Sequence, residues 1–451
     1  MKCVEKKVVI VGGNGGGLSA GSQVKRLNPD YQVVVLEKGE YVSYGPCAIP
    51  YYIGGIIKKF NRLFNLTPEK IKERNIELRL FHQVTGVDPE NKKVTLISGE
   101  ETREEDFDYL VIATGARPTL AGMEVEGSQR IFVLRDLVDM QAISRLIEEE
   151  NPRKCGVLGA GYIAVEMLEA FKNRGLETHL IHRRSSLAKT FEKETSDLVM
   201  DKMDREGIVL NLDTNVKELV EEKKGVTVKT DKGDLEFDFI LLAFGVEPNT
   251  GFLKDSSLEM GIKNSLVANK KMQTNYEYIY AAGDCAQTTN LITGKPDYVA
   301  LAPKANKEGL TAGRNICGQP EEFPGVIGTA ITRFSDLGIS RTGLSLEEAQ
   351  KHFPQAIKYT LTTPTKSRYF PGAGDLHSLI IVNKEDQRIL GAQLVGPLEA
   401  VKRIDLYSAI ITNKMTLSQA FDLDLSYAPP FSTLYDPVTI AMRIGRKMVE
   451  Q

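Results

Sequence analysis

The sequence predicts an α/β protein in which two βαβ units, each opening on a glycine-rich turn, precede an α+β unit. Three observations carry this prediction. A short apolar run enters a glycine-rich turn and then a helix pattern twice: Lys7-Val8-Val9-Ile10-Val11 into Gly12-Gly13-Asn14-Gly15-Gly16-Gly17, and Cys155-Gly156-Val157-Leu158 into Gly159-Ala160-Gly161-Tyr162-Ile163-Ala164. From about Gly325 the chain changes to alternating β segments followed by helices, with no such turn. The length of 451 residues exceeds one ordinary core, and at about 100 to 200 residues per domain it allows roughly three.

In the first unit the continuous apolar run reads as a parallel strand buried on both faces. The helix after it places Leu18, Ala20, Val24 and Leu27 on one side and stops before Asn28-Pro29. Gln32-Val33-Val34-Val35-Leu36 is the next strand, closed by Glu37. A glycine turn between strand and helix, with a carboxylate about 20 to 25 residues on, is the arrangement that holds a dinucleotide: backbone amides take the pyrophosphate and the acid takes ribose hydroxyls. The second unit repeats the pattern, with Val165, Leu168 and Phe171 inward on its helix and Thr178-His179-Leu180-Ile181 as its next strand. At the position of Glu37 it carries His182, followed by Arg183 and Arg184. With no carboxylate to bond a 2′-hydroxyl and two guanidinium groups near, this site is expected to accept NADPH as well as NADH; the alternative is that the two arginines form a solvated loop.

Two similar strand endings, Tyr109 to Pro118 and Phe239 to Asn249, each break into a glycine turn and proline, which suits a crossing between units. Thr274 to Asp284 reads as an extended stretch that delivers Asp284 past Gly283, either to accept from a polyol hydroxyl or to cap a helix; a helical stretch with Ala302, Ala305, Leu310 and Ala312 comes later. The last unit shows β segments at Ala330 to Phe334, Ser378 to Val382 and Leu390 to Gly396, helices from about Ala400, and an apolar Ser426 to Ser432 segment. Subunit contact is its expected role.

Between these landmarks lies Val42-Ser43-Tyr44-Gly45-Pro46-Cys47-Ala48-Ile49-Pro50-Tyr51-Tyr52. Proline is tolerated in a first helical turn, so Cys47 is expected near a helix N-terminus, where the thiolate is favoured. Lowering a thiol pKa by about three units needs about 4 kcal/mol, more than such a helix supplies alone. The alternative is a buried, inert thiol. The five cysteines, Cys3, Cys47, Cys155, Cys285 and Cys317, are scattered, with no C-x-x-C pair, which argues against a zinc site, a disulphide framework and a local redox dithiol. Hydrophobic content of 42%, charged content of 26% and a net charge of −3 are those of a soluble protein with no bias toward nucleic acid or membrane. No apolar run reaches membrane-span length and the N-terminus leads into a strand, so a cytoplasmic protein is expected.

Taken in order, the first glycine turn, Ser43 to Tyr52 around one cysteine, the second turn, Ala281-Ala282-Gly283-Asp284 and Tyr427-Ala428-Pro429-Pro430 resemble the single-cysteine pyridine nucleotide-disulphide oxidoreductases. The resemblance is nearest to the coenzyme A-disulphide reductases and their archaeal relatives, which also act as NAD(P)H oxidases or sulphur reductases, and it covers essentially the whole chain. It implies two Rossmann-like domains and a C-terminal α+β dimerisation domain: residues 1–120 and 248–324 for FAD, 121–247 for NAD(P)H, and 325–451 for a homodimer interface. It places FAD on Gly12, Asn14, Gly17, Glu37, Lys38, Thr114, Gly115, Gly283 and Asp284, and NAD(P)H on Gly159, Gly161, Ala164, His182 and Arg183. Cys47 is similar to the redox cysteine that forms a mixed disulphide with coenzyme A, Ser19, Gln23, Arg26, Ser43, Asn75 and Asn306 to coenzyme A contacts, and Tyr427 and Tyr369 to tyrosines reaching the partner subunit's site. Three departures stand out. Gly15 occupies the position of a histidine acid in the related peroxidases and water-forming oxidases, Pro46 replaces the asparagine that bacterial reductases carry before the cysteine, and Tyr435 replaces a phosphate-binding lysine, which loosens selection for coenzyme A.

The mechanism so implied passes a hydride from NAD(P)H to FAD and two electrons on to a Cys47 mixed disulphide, with the freed thiolate attacking the next disulphide, persulphide or polysulphide and Tyr427 serving the departing thiolate. Two rivals are an NAD(P)H oxidase reducing O₂ at the flavin, and an electron-transfer module for a protein partner in which Cys47 only packs.

Overall fold

The computed structural model describes residues 6–123, 125 and 127–450. Cys3 lies outside them. Five parallel strands form the first sheet, in the spatial order Ile279–Ala281, Tyr109–Ile112, Lys7–Val11, Gln32–Leu36 and Ile76–Arg79. Val8, Val9 and Ile10 on its central strand are fully buried, as a strand covered on both faces requires. That strand enters the glycine turn, and helix α1 (Gly15–Leu27) buries Leu18, Ala20 and Val24, as their spacing predicts. A short helix α2 (Ile49–Ile53) and α3 (Pro68–Lys72), capped by the Thr67 hydroxyl, connect the second and third strands.

The second sheet shares the order of the first in four strands but takes the edge strand at one end from before the glycine turn: Ile131–Phe132, Phe239–Leu242, Lys154–Leu158, Glu177–Ile181 and Val209–Asn211, all parallel. It carries α4 (Leu137–Glu150), α5 (Tyr162–Asn173) and α6 (Lys193–Arg205). Where the chain passes between the two units, Ala116–Pro118 pairs antiparallel with Val246–Pro248. The Thr114 hydroxyl donates to the Asn249 carbonyl at 2.8 Å, and Arg117 meets Glu247 at 2.8 Å. The two proline-marked crossings thus lie side by side. The sequence reading did not anticipate the antiparallel meanders within 83–106 and 216–237.

Helix α7 (Ala302–Ile316) packs along α1, burying Lys304, Glu308 and small residues rather than a purely apolar face. The last unit is a five-stranded antiparallel sheet, ordered Ala330–Phe334, Leu337–Gly343, Ile389–Pro397, Asp375–Asn383 and Ala356–Pro364, backed by helices. One apolar cluster joins all three units: Ile49, Ile53 and Leu63 pack with Leu137, Val157 and Phe171 of the second unit and with Phe334, Ile339 and Val395 of the last. At about 1.5–3 kcal/mol for each large aliphatic side chain buried, Ile49 and Ile53 anchor α2 to the second unit. Among the described residues no helix is long and apolar enough to cross a membrane, and no group of His, Cys, Asp and Glu is placed to hold a metal ion.

Candidate active site

Cys47 stands in a 3-10 turn, Pro46–Ala48, directly before α2, with Pro46 and Pro50 in the first positions of their respective turns. The approach to it is fixed by backbone bonds to both sides. Ser43 N donates to Gly13 O at 3.0 Å, Gly45 N to Leu63 O at 2.8 Å and Asn65 N to Ser43 O at 2.7 Å. Ser43 is buried, sits at φ +53, and its hydroxyl oxygen accepts from Leu66 N. Cys47 itself is exposed, so it is not a packing residue.

The direction of its pKa shift differs from the sequence expectation. The surrounding protein raises the Cys47 pKa through desolvation first and then through the Glu166 and Asp284 carboxylates, while Arg135 and its backbone partner oppose them. A one-turn helix is too small a dipole to overcome two carboxylates and lost water.

The first glycine turn is closed by Glu37, whose two oxygens accept from Gly13 N at 2.8 Å and Gly39 N at 2.9 Å. Lys38 beside it is exposed. Asn14 occupies the N-cap of α1 without a side-chain capping bond, leaving the first amides of the helix free to face an anion. Gly12 is at φ +110, and a Cβ there would lie 2.3 Å from Ala113 O; one on Gly17 would lie 2.0 Å from Gly12 O. Only glycine allows this closure. Asp284 caps no helix: its carboxylate meets Arg135 at 3.1 Å, and its carbonyl accepts from the Tyr298 hydroxyl. Arg135 also comes within 3.1 Å of the position a Gly115 Cβ would take, so Thr114, Gly115, Gly283 and Asp284 gather at the mouth of this turn. The sequence reading missed Arg135, although its place directly before the helix-capping Asp136 was a signal.

At the second turn Gly159 is at φ +114 with Ala243 O 2.3 Å from its would-be Cβ, Gly161 faces open space, and Ala164, in the first turn of α5, is buried. A cavity of about 440 Å³ opens among the three units, bordered by Tyr162, Thr190, Tyr298, Leu301, Gly328 and Arg341. Tyr162 Oη, Thr190 Oγ1 and Arg341 Nε are buried there without well-formed hydrogen bonds. His182 follows the second strand as predicted, with its Nε2 buried and unpartnered and its pKa lowered by burial and by Arg184 and Arg183. Glu166, one turn along α5, was also missed; it accepts from the Thr332 hydroxyl at 2.7 Å, and burial raises its pKa. An acid among the inward positions of an apolar helix was the available clue.

Ser19, Gln23 and Arg26 follow one another along α1. Ser19 Oγ donates to Asn306 Oδ1 at 2.8 Å, and Arg26 donates to Gln23 Oε1 at 2.6 Å. Arg74 reaches Ser22 on the same helix at 3.0 Å, bringing exposed Asn75, at φ +58, to this edge. Gln23 is buried, whereas Arg26 and Asn306 are exposed. Tyr369 and Tyr427, 77% and 45% exposed, lie beside each other near Ser367, in a patch shared with exposed Phe431, Leu434 and Tyr435. Tyr435 stacks on Phe421, with Arg443 over its ring.

Comparison with known proteins places this geometry. Residues 6–309 match the pyridine nucleotide-disulphide oxidoreductase family and residues 329–436 its dimerisation domain. A Pyrococcus furiosus protein named NAD(P)H sulfur oxidoreductase (CoA-dependent) is 39% identical over 98% of this chain and 99% of its own. A Methanocaldococcus jannaschii protein named NADH oxidase is 33% identical over 96% of this chain and 97% of its own. The solved structure of an NAD-dependent persulfide reductase from A. fulgidus superposes with a TM-score of 0.95 at 32% identity, covering 98% of this chain and 83% of that one. The chain belongs to the pyridine nucleotide-disulphide oxidoreductase family.

Proposed function

We propose that the chain is an NAD(P)H-dependent flavin disulphide oxidoreductase that reduces a coenzyme A disulphide, coenzyme A persulphide or polysulphide through Cys47, as a homodimer. One observation carries it: an exposed cysteine in a helix-initial turn beside two nucleotide folds, with no cysteine partner among the described residues. Cys155 and Cys285 are fully buried and Cys317 ends α7. A disulphide on Cys47 therefore needs a small thiol as its other half.

The first unit fits FAD: free amides at the start of α1, a glycine turn that a Cβ would fill, and a carboxylate at Asp284. When bound, FAD relays two electrons from a pyridine nucleotide to a disulphide. We assign Gly12, Asn14 and Gly17 to its pyrophosphate, Glu37 and Lys38 to its adenosine, and Thr114, Gly115, Gly283, Asp284 and Arg135 to its flavin half. Gly159, Gly161 and Ala164 form the pyridine nucleotide turn, open toward the cavity. His182, Arg183 and Arg184 suit a 2′-phosphate. Residues 1–120 and 248–324 are assigned to the flavin domain, 121–247 to the pyridine nucleotide domain and 325–451 to the dimer interface.

Cleaving a mixed disulphide delivers the Cys47 sulphur as a thiolate, so the raised resting pKa does not prevent the next attack. It requires that attack to outrun protonation. Ser19, Gln23, Arg26, Ser43, Asn75 and Asn306 orient the coenzyme A portion, with Arg26 supplying phosphate charge. Tyr427 and Tyr369, adjacent and exposed, are positioned to hold a proton at the departing sulphur across a dimer. Free cysteines throughout the described residues suit a reducing, cytoplasmic setting.

Intact-mass spectrometry of the purified protein is expected to show a coenzyme A adduct that dithiothreitol removes, and Cys47→Ser is expected to abolish both the adduct and disulphide reduction. Full reductase activity in Cys47→Ser ends the proposal. The NADH oxidase relative favours O₂ reduction as a second reading, which a Cys47→Ser protein with undiminished oxidase turnover and a wild type yielding no thiol product would support.

A further inference from the structure

Lys304 and Glu308 lie one turn apart on α7, with side chains 1% and 0% exposed and Nζ 3.0 Å from Oε2. Together they take up the polar groups of the turn that presents Asp284. Lys304 Nζ donates to Gly283 O at 2.9 Å and to Ala286 O at 3.1 Å, and Glu308 Oε2 accepts from Gly283 N at 2.8 Å. Both backbone groups of Gly283, a residue at φ +87, are thus bound by one ion pair. The same helix is tied to the first glycine turn, because Gly309 meets Gly16 so closely that a Cβ would lie 2.2 Å from Gly16 O. Glu308 Oε1 is buried without a partner.

A buried ion pair is a poor device for stability alone, since desolvation offsets its attraction and an apolar pair of similar volume often serves as well or better. What apolar residues cannot do is hold the carbonyls of Gly283 and Ala286 and the amide of Gly283 in fixed directions. We propose that Lys304 and Glu308 are positioning residues for the flavin: they hold the turn 282–286 in the conformation that presents Asp284 to the cofactor, and so govern how slowly the cofactor leaves. This rests on the assignment of Asp284 to FAD.

The test compares FAD release, read as recovery of free-flavin fluorescence on dilution of the holoenzyme, with the melting temperature of the same protein stripped of FAD. Lys304→Met/Glu308→Leu is expected to release FAD at least about tenfold faster while the stripped protein melts no lower than wild type. Glu308→Gln, which keeps an acceptor for Gly283 N and Lys304, is expected to stay within about twofold of wild type. If the double variant does not accumulate, Lys304→Met alone carries the test and is expected to release FAD at least about threefold faster. Asp284→Asn separates the two ideas. If it speeds release while the Lys304 variants release at the wild-type rate, the positioning role is overturned and the flavin assignment stands. If Asp284→Asn leaves release unchanged, the flavin assignment falls and the positioning role with it. Equal acceleration by Glu308→Gln and the double variant also overturns the positioning role.

Discussion

The two glycine turns share a backbone solution and differ in everything around it. Gly12 and Gly159 have nearly the same φ, +110 and +114, and each would drive a Cβ to 2.3 Å from a carbonyl of the neighbouring strand, Ala113 O and Ala243 O. Around the first, most polar groups outside the free amides of α1 and Glu308 Oε1 are already matched: Gly13 N and Gly39 N on Glu37, Gly283 on Lys304 and Glu308, Asp284 on Arg135. Around the second they are less well matched, with Gly161 facing open space, His182 Nε2 buried without a partner, and Tyr162 Oη and Thr190 Oγ1 lacking well-formed hydrogen bonds. A matched site keeps its shape whether or not a ligand is present, whereas one with orphaned groups gains its missing bonds only when a ligand arrives. On the proposed assignment, the first turn suits a resident cofactor and the second a visitor.

The sharpest way to break this contrast is to spoil each turn in the same way. Alanine at either glycine adds left-handed strain of about 1–2 kcal/mol before the carbonyl clash is counted. Gly12→Ala is expected to yield protein without flavin, whereas Gly159→Ala is expected to keep its flavin and lose reduction by NAD(P)H. Flavin absorbance and stopped-flow reduction check the two.

Next in size is pH. Burial pushes the Glu308 carboxyl up to about 7, against an ordinary value of 4.5, with Lys304 opposing the shift. Between these values the folded state holds a proton the unfolded chain has released, so stability from this group is fullest below pH 4.5 and is lost as pH rises through 7. The loss is about 3 kcal/mol at most. His182 has the opposite sign: its pKa lies below 6.5, so its contribution is fullest above pH 6.5 and falls as pH drops. Denaturant titrations across pH 4.5 to 8 are expected to show a falling component that Glu308→Gln removes and His182→Gln does not.

A carboxylate at the position that matches Glu37 is expected to turn the visitor's site toward NADH: His182→Glu should cost NADPH about tenfold in kcat/KM while leaving NADH within about twofold. Unchanged coenzyme preference would separate His182 from the 2′-position. The smallest effect expected is that of exposed Arg183→Ala, about two- to threefold on the KM for NADPH alone, fading as salt is raised.

Much of the architecture was legible because it is written in short apolar runs and glycines. Val8 to Val11 and Cys155 to Leu158 had to be buried parallel strands, and the helices after them fell on the predicted residues. The meander at 83–106 was not legible because its last strand, Glu101–Asp106, is mostly exposed and polar, held by backbone pairing rather than by any apolar alternation. The exposed, helix-initial place of Cys47 was legible, but the upward push on its pKa was not: Glu166 and Asp284 are about 120 and 240 residues away in sequence, and only the fold brings their charge to bear. Lys304 and Glu308 stand at the i,i+4 spacing that exposed helical ion pairs commonly share. Nothing local announces that α7 turns that face inward.

The paired crossings carry a further consequence. Pro118 lies opposite Val246 in a two-stranded ribbon, so the intervening stretch enters and leaves through one doorway. By connectivity it is a detachable cassette, and a two-residue turn would close the gap left by its removal. By packing it is not detachable, since Ile49 and Ile53, which seat α2, are buried against Leu137, Val157 and Phe171 of that cassette. Excising it would leave the outer sheet continuous and strip the turn that carries Cys47 of its footing, so a module that is separable by connectivity is not separable by packing.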